Sequence, residues 1–146
     1  MTIQRMDNVL IVVEDLDAAI AFFVELGMEL RGRAELEDRG AERVIGIDGV
    51  RQEIAMLRTP DGHGGVELAM FHTPRAVRGE PMDAPANTLG IRRVMFAVDD
   101  IDEVVARVGA HGAELVGEVA QVGDSHRLCY LRGPEGILVG LAQQLG

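Results

Sequence analysis

VVEDLDAAIAFF, Val12–Phe23, returns 85 positions later as AVDDIDEVVARV, Ala97–Val108. The match runs without a gap from Asn8 set against Arg93 to Leu30 set against Leu115. Each copy opens on a short apolar run, Val9–Val13 or Val94–Val98, that reads as a strand. An aspartate able to cap a helix follows, Asp15 in one copy and Asp100 in the other. Asp100 with Glu103 has the spacing of a capping box. Leu16, Ala19, Ile20, Phe23 and Val24 then recur at helical spacing, as do Ile101, Val104, Val105 and Val108. Both helices are expected to stop at a glycine, Gly27 and Gly112.

The repeat continues beyond the helices. LRTPDG, Leu57–Gly62, answers LRGPEG, Leu131–Gly136, and each predicts a turn between two apolar strands. The strands after the turns are VELAMF, Val66–Phe71, and ILVGLA, Ile137–Ala142. The turns are offset by 74 rather than 85, so the first copy carries about eleven extra residues, placed around Ala41–Ile47. Each copy therefore reads strand, helix, then three strands: an α+β chain of two tandem βαβββ modules. Module 1 spans about 1–74 and module 2 about 89–146. Between them, 75–88 lies in a stretch (Thr73–Thr88) that holds three prolines and little periodicity, the pattern of a linker.

A length of 146 residues suits one domain or two small halves sharing a core. The apolar share of 47% with mixed charges predicts a soluble globular protein. Lys and Arg number 14 against 24 Asp and Glu, a net charge of −10, which argues against nucleic acid and anionic membranes as partners. There is no leader-like start and no apolar run of bilayer length. The single cysteine, Cys129, cannot make an internal disulfide, and a cytoplasmic setting is expected.

The duplicated βαβββ unit resembles the vicinal oxygen chelate superfamily of glyoxalases, bleomycin-resistance proteins and extradiol dioxygenases. The resemblance rests on the paired V-x-D-[LI]-D motifs, Val13–Asp17 and Val98–Asp102, and on the [TG]-P-[DE]-G turns. It covers nearly the whole chain. It implies that each half curls its sheet around a concave face, so that two half-cups make one central cavity. It also implies a divalent ion held from the first and last strands of each half. The usual first ligand, His, falls at Asn8 and Arg93; the usual last one, Glu or Gln, falls at Glu67 and Gly140. Of the four, Glu67 alone keeps a good donor. Glycine has no donor side chain, a guanidinium has no lone pair, and an Asn carbonyl is weak. Catalytic metal sites use three protein ligands or more, so neither a metal nor another cofactor is expected. Arg93 instead stands where it could replace the ion and pair with Glu67.

Period-2 alternation from these positions puts Leu10, Val12, Ala69, Phe71, Met95, Ala97, Leu138 and Ala142 on the concave faces. Family enzymes often present a tyrosine just before the second turn; Tyr130 stands there and brings His126 and Leu128 to the same face. By the repeat, Gln52, Ile54 and Met56 are their counterparts. The expected ligand-binding set is Asn8, Leu10, Gln52, Ile54, Met56, Glu67, Ala69, Phe71, Arg93, Met95, His126, Leu128, Tyr130, Leu138 and Gly140. It is mostly apolar with a few polar points, the profile of a dry site for a drug-sized organic molecule. Cys129, of opposite parity, should pack inertly under a helix. His63 lies in a turn, His72 at a strand end and His111 at a helix end, without metal-type spacing.

The pattern favours a small-molecule binding protein of the bleomycin-resistance type, sequestering an apolar or aromatic natural product or drug without a metal. Its alternative is a glyoxalase-, epimerase- or dioxygenase-like enzyme, using a metal with non-standard ligands or acid/base chemistry at Glu67, the one candidate catalytic residue. A homodimer is expected, because half-sheets leave edges that pair between chains, with the seam near Met1–Leu10.

Overall fold

The computed structural model describes residues 2–146 and is α+β, with two mixed sheets. The chain divides into two compact units, Met1–Val77 and Arg78–Gly146, so the boundary falls inside the proline-bearing stretch.

The first unit runs β1 (Val9–Val12), α1 (Leu16–Leu26), β2 (Glu29–Leu36), α2 (Arg39–Ile45), β3 (Arg51–Arg58) and β4 (Gly65–Thr73). Its sheet has the order β1-β4-β3-β2, with β1 parallel to β4 and the other pairs antiparallel. Asp15 caps α1 by accepting from the Ala18 N–H at 3.0 Å. Gly27 ends it at φ 125°, a conformation that costs other residues a Cβ clash. Leu16, Ala19, Ile20, Phe22, Phe23 and Leu26 are buried against Ile11, Val13, Ala55, Leu57, Val66 and Leu68. Burying one such side chain stabilises by about 1.5–3 kcal/mol. Val24, assigned to this stripe from its spacing, is 46% exposed, and Phe22 is buried in its place. The buried arc centres near Ala19, Phe23 and Leu26, and at about 100° per residue Val24 falls outside it. The extra residues of this copy form α2, capped by Asp38 at 2.7 Å and burying no side chain.

The second unit runs β5 (Arg93–Ala97), α3 (Ile101–Gly109), β6 (Glu114–Leu115), β7 (Ala120–Val122), β8 (His126–Arg132) and β9 (Leu138–Gln144). Its sheet has the order β5-β9-β8-β6, and β7 also pairs with β8. The expected second strand is thus broken in two, with Gly117 in the gap. Asp100 caps α3, but the Glu103 carboxylate takes Arg107 at 2.9 Å, so only half of the capping box is made. The helix ends at Gly109 rather than at Gly112, a correction with a local cause. The N–H groups of Ala110, His111 and Gly112 each bond a carbonyl three residues back, which tightens the last turn and stops the α ladder. Ile101, Val104 and Val108 are buried with Leu131, Val139 and Leu141. Gly136 of the second turn cannot be replaced, because a Cβ there would run into the Met82 carbonyl.

Candidate open sheet faces

Strand register decides which side chains share a face. In the first unit Leu10 lies beside Glu67, and Met56 lies on its other side; Val12, Ala69 and Ile54 form the next row, and Gln52 with Phe71 the third. Alternation places these rows opposite the residues buried under α1. Asn8 precedes β1 in phase with Leu10. The chain there is held by Arg58, whose Nη1 donates to the Asp7 carbonyl at 3.0 Å.

In the second unit Met95 lies beside Gly140, with Tyr130 on its other side; Ala97, Ala142 and Leu128 form one neighbouring row, and Arg93 with Leu138 another. His126 pairs with Gln144 in the same phase, its Nδ1 2.7 Å from the Ser125 Oγ. The structure thus brings seven of the expected residues to one face of the first sheet, with Asn8 just ahead of it, and seven to one face of the second. The faces are less dry than expected. Leu10 is 49% and Met95 37% exposed, whereas Ala69 and Leu138 are buried. Parity also puts Arg132 on the second face, a residue outside the expected set that alternation from Tyr130 reaches. Its guanidinium donates to the Gly136 carbonyl at 3.0 Å and the Ala84 carbonyl at 2.7 Å. Cys129 is buried on the opposite side, and burial pushes its thiol pKa up, away from reactivity.

Arg93 finds its partner within its own module. Its Nη1 donates to the Tyr130 hydroxyl at 2.6 Å and its Cζ stands 5.5 Å from the ring centroid. An exposed cation–π contact of this kind is worth about 0.5–1 kcal/mol. The pair holds a cation and a phenol in fixed relation.

The four positions at which such folds hold a metal do not fit one here. Gly140 offers no donor, and a Cβ built on it would stand 2.7 Å from Met95 Cε, so a side chain there would have to displace the flexible end of the thioether. Arg93 brings positive charge and no lone pair. Asn8 and Glu67 are left, too few donors to displace water from a divalent ion.

A family profile described as Glyoxalase/Bleomycin resistance protein/Dioxygenase superfamily matches residues 5–141. A glyoxalase family protein from Bacillus cereus, APC24694, is 56% identical in sequence; the match covers 100% of this chain and 97% of that one with a TM-score of 0.95. TnmS3, an antibiotic binding protein from Streptomyces sp. CB03234, covers 99% of both chains at 20% identity and a TM-score of 0.60, a likeness of fold alone. A Mycobacterium tuberculosis protein with the provisional name glyoxylase CFP32 is 31% identical over 86 residues. That stretch is 58% of this chain and 33% of the mycobacterial protein, so the chain spans about a third of that relative.

Proposed function

The chain belongs to the glyoxalase/bleomycin resistance protein/dioxygenase superfamily, and within it we propose a small-molecule binding protein of the bleomycin-resistance type, which sequesters an apolar or aromatic compound such as an antibiotic without a metal. The observation that carries this reading is Met95 packed over Gly140, at the position where a metal-binding relative places a carboxylate. The first module then offers Leu10, Ile54, Met56 and Phe71 around one carboxylate, Glu67. The second offers Met95, Leu128 and Leu138 around the Arg93–Tyr130 pair. Methionine linings adapt to varied shapes, and a fixed guanidinium suits a carboxylate or carbonyl group. The ligand is therefore a planar, mostly apolar molecule with an anionic or carbonyl edge.

The test is a thermal-shift screen of aromatic carboxylates and aromatic antibiotics with chelator present. A ligand at ~100 times its Kd adds about 2.7 kcal/mol of stability. Met95→Ala and Tyr130→Ala should each weaken a hit by about 2 kcal/mol, roughly thirty-fold, with His63→Ala unchanged. The reading fails if no compound shifts melting while Mn²⁺, Ni²⁺ or Zn²⁺ confers turnover of a hemithioacetal or a catechol.

One observation favours a second reading. Glu67 is a part-buried carboxylate centred between Leu10 and Met56, a place from which a metal-free lyase or isomerase could move a proton. Loss of a proton-transfer activity in Glu67→Gln, with ligand binding retained, would favour it. Self-association belongs to the same proposal: Ile3 and Met6 ahead of β1 are 76% and 77% exposed, two apolar side chains suited to a seam between two copies. Light scattering should give a dimer mass at micromolar concentration; a monomer mass refutes it.

A further inference from the structure

On the face of the first sheet that carries α1, three neighbouring strands bring metal-ligating side chains to one point. Glu35 of β2 stands directly across from Glu53 of β3. His72 of β4 joins them, and one ligand atom from each residue lies within 4.8 Å of the others. His72 follows Met70 in phase, and the ladder is irregular beside it. Between the pairs Gln52–Phe71 and Arg51–Thr73 the β3–β4 register shifts, which leaves His72 as the extra residue of a bulge. Its imidazole Nε2 stands 3.9 Å from Glu53 Oε1.

Two carboxylates directly opposed across a strand pair repel each other, so a cation near them offsets a cost built into the sheet. Arg33 supplies part of it, 4.0 Å from Glu53 Oε2, but its guanidinium is drawn closer to Asp17, at 2.9 Å. We propose that Glu35, Glu53 and His72 form a binding site for a divalent transition-metal ion of the zinc class. One imidazole nitrogen with two carboxylate oxygens is a borderline donor set that suits Zn²⁺, Co²⁺ or Ni²⁺ better than the all-oxygen preference of Mg²⁺ or Ca²⁺. Tetrahedral zinc with ligands at 2.0–2.2 Å needs donor atoms about 3.4 Å apart. Rotamer changes in the two glutamates close the remaining gap. Water reaches the site: the side chains of Glu53 and His72 are 28% and 30% exposed, and His72 also lines an open cleft of about 390 Å³ with Glu14, Met70 and Arg75. A water molecule completes the coordination. The site lies on the opposite face from Glu67 and does not depend on the proposed ligand function.

Calorimetric titration of the metal-stripped full chain with ZnCl₂ tests it. One equivalent should bind with micromolar affinity. His72→Ala and Glu53→Gln should each weaken binding at least tenfold, and the exposed Glu35→Gln should do so without disturbing the fold. Arg33→Ala should tighten binding, because it frees Glu53. Glu67→Gln and His63→Ala should leave the affinity unchanged. Circular dichroism of the metal-free variants separates lost ligation from lost structure. Failure to bind Zn²⁺ below millimolar concentration overturns the proposal. So does an affinity that survives both His72→Ala and Glu53→Gln, or one that falls only with Glu67→Gln.

Discussion

Glu67 and Gly140 hold the same place in two copies of one design. Each is flanked by the first strand of its module and by the strand before it: Leu10 and Met56 around Glu67, Met95 and Tyr130 around Gly140. In the first module the polar group is central and its neighbours are apolar. In the second the centre is a bare backbone, Met95 leans over it, and the polar groups have moved outward to Tyr130 and Arg93. The frame beneath is nearly unchanged. Asp15 and Asp100 cap equivalent helices, and Asp17 and Asp102 each tie a helix to a strand arginine, Arg33 and Arg127. Backbone hydrogen bonds and buried contacts hold the frame, which leaves the open-face side chains free to change chemistry.

The sharpest contrast beneath the faces is Phe23 against Val108, equivalent by the repeat and both fully buried. Phe23→Ala should cost about 3–5 kcal/mol and Val108→Ala about 2 kcal/mol in urea unfolding. Equal losses would mean that the two cores lean on these positions alike, against the contrast in side-chain size.

Exchanging the central residues comes next. Gly140→Glu forces a side chain into the space of Met95 and should cost about 1–3 kcal/mol. Adding Met95→Ala should recover part of that loss, since neighbours that share a space are not additive. The reverse change, Glu67→Gly, should cost about 0.5–1 kcal/mol, the penalty of a glycine within a strand. A neutral Gly140→Glu would show that Met95 does not fill the site.

The smallest effect lies in the helix-to-strand ties. The Arg127 guanidinium, hydrogen-bonded to Asp102 at 2.9 and 3.1 Å, holds the Asp102 carboxyl below its ordinary value of 3.8. A carboxyl lowered in the folded state adds stability above its unfolded pKa and loses it as pH falls through the folded one. Asp102→Asn should therefore lower the urea midpoint slightly at pH 7 and leave it unchanged below the folded pKa. A gap of the same size at both pH values would assign the effect to packing.

The parts of the molecule that follow from local pattern were legible in the sequence. The offset of 85 residues located both helices and their N-caps, and alternation grouped Leu10 with Glu67 and Met95 with Tyr130 on shared faces. What escaped depends on longer-range geometry. Val24 and Phe22 differ by where α1 meets its sheet. The early end of α3 comes from the tightened bonding of its last turn, which the apolar pattern does not record. His72 had no metal-type spacing because its companions arrive through strand register, 19 and 37 positions away in sequence. The Arg93–Tyr130 bond escaped because alternation assigns a face, not a partner.

Methionines mark both sides of the first sheet and the open face of the second, and they allow the central claim to be tested directly. Met56 and Met95 stand on the proposed binding faces, whereas Met28 is buried beyond α1 and Met70 has the phase of the residues under that helix. With the methionine methyls ¹³C-labelled and chelator present, the best hit of the thermal-shift screen should be titrated in by NMR. The account predicts that the Met56 and Met95 resonances move with saturation, and that those of Met28 and Met70 stay in place. Movement of Met28 or Met70 with Met56 and Met95 still, or movement that begins only when a divalent metal replaces the chelator, would contradict it.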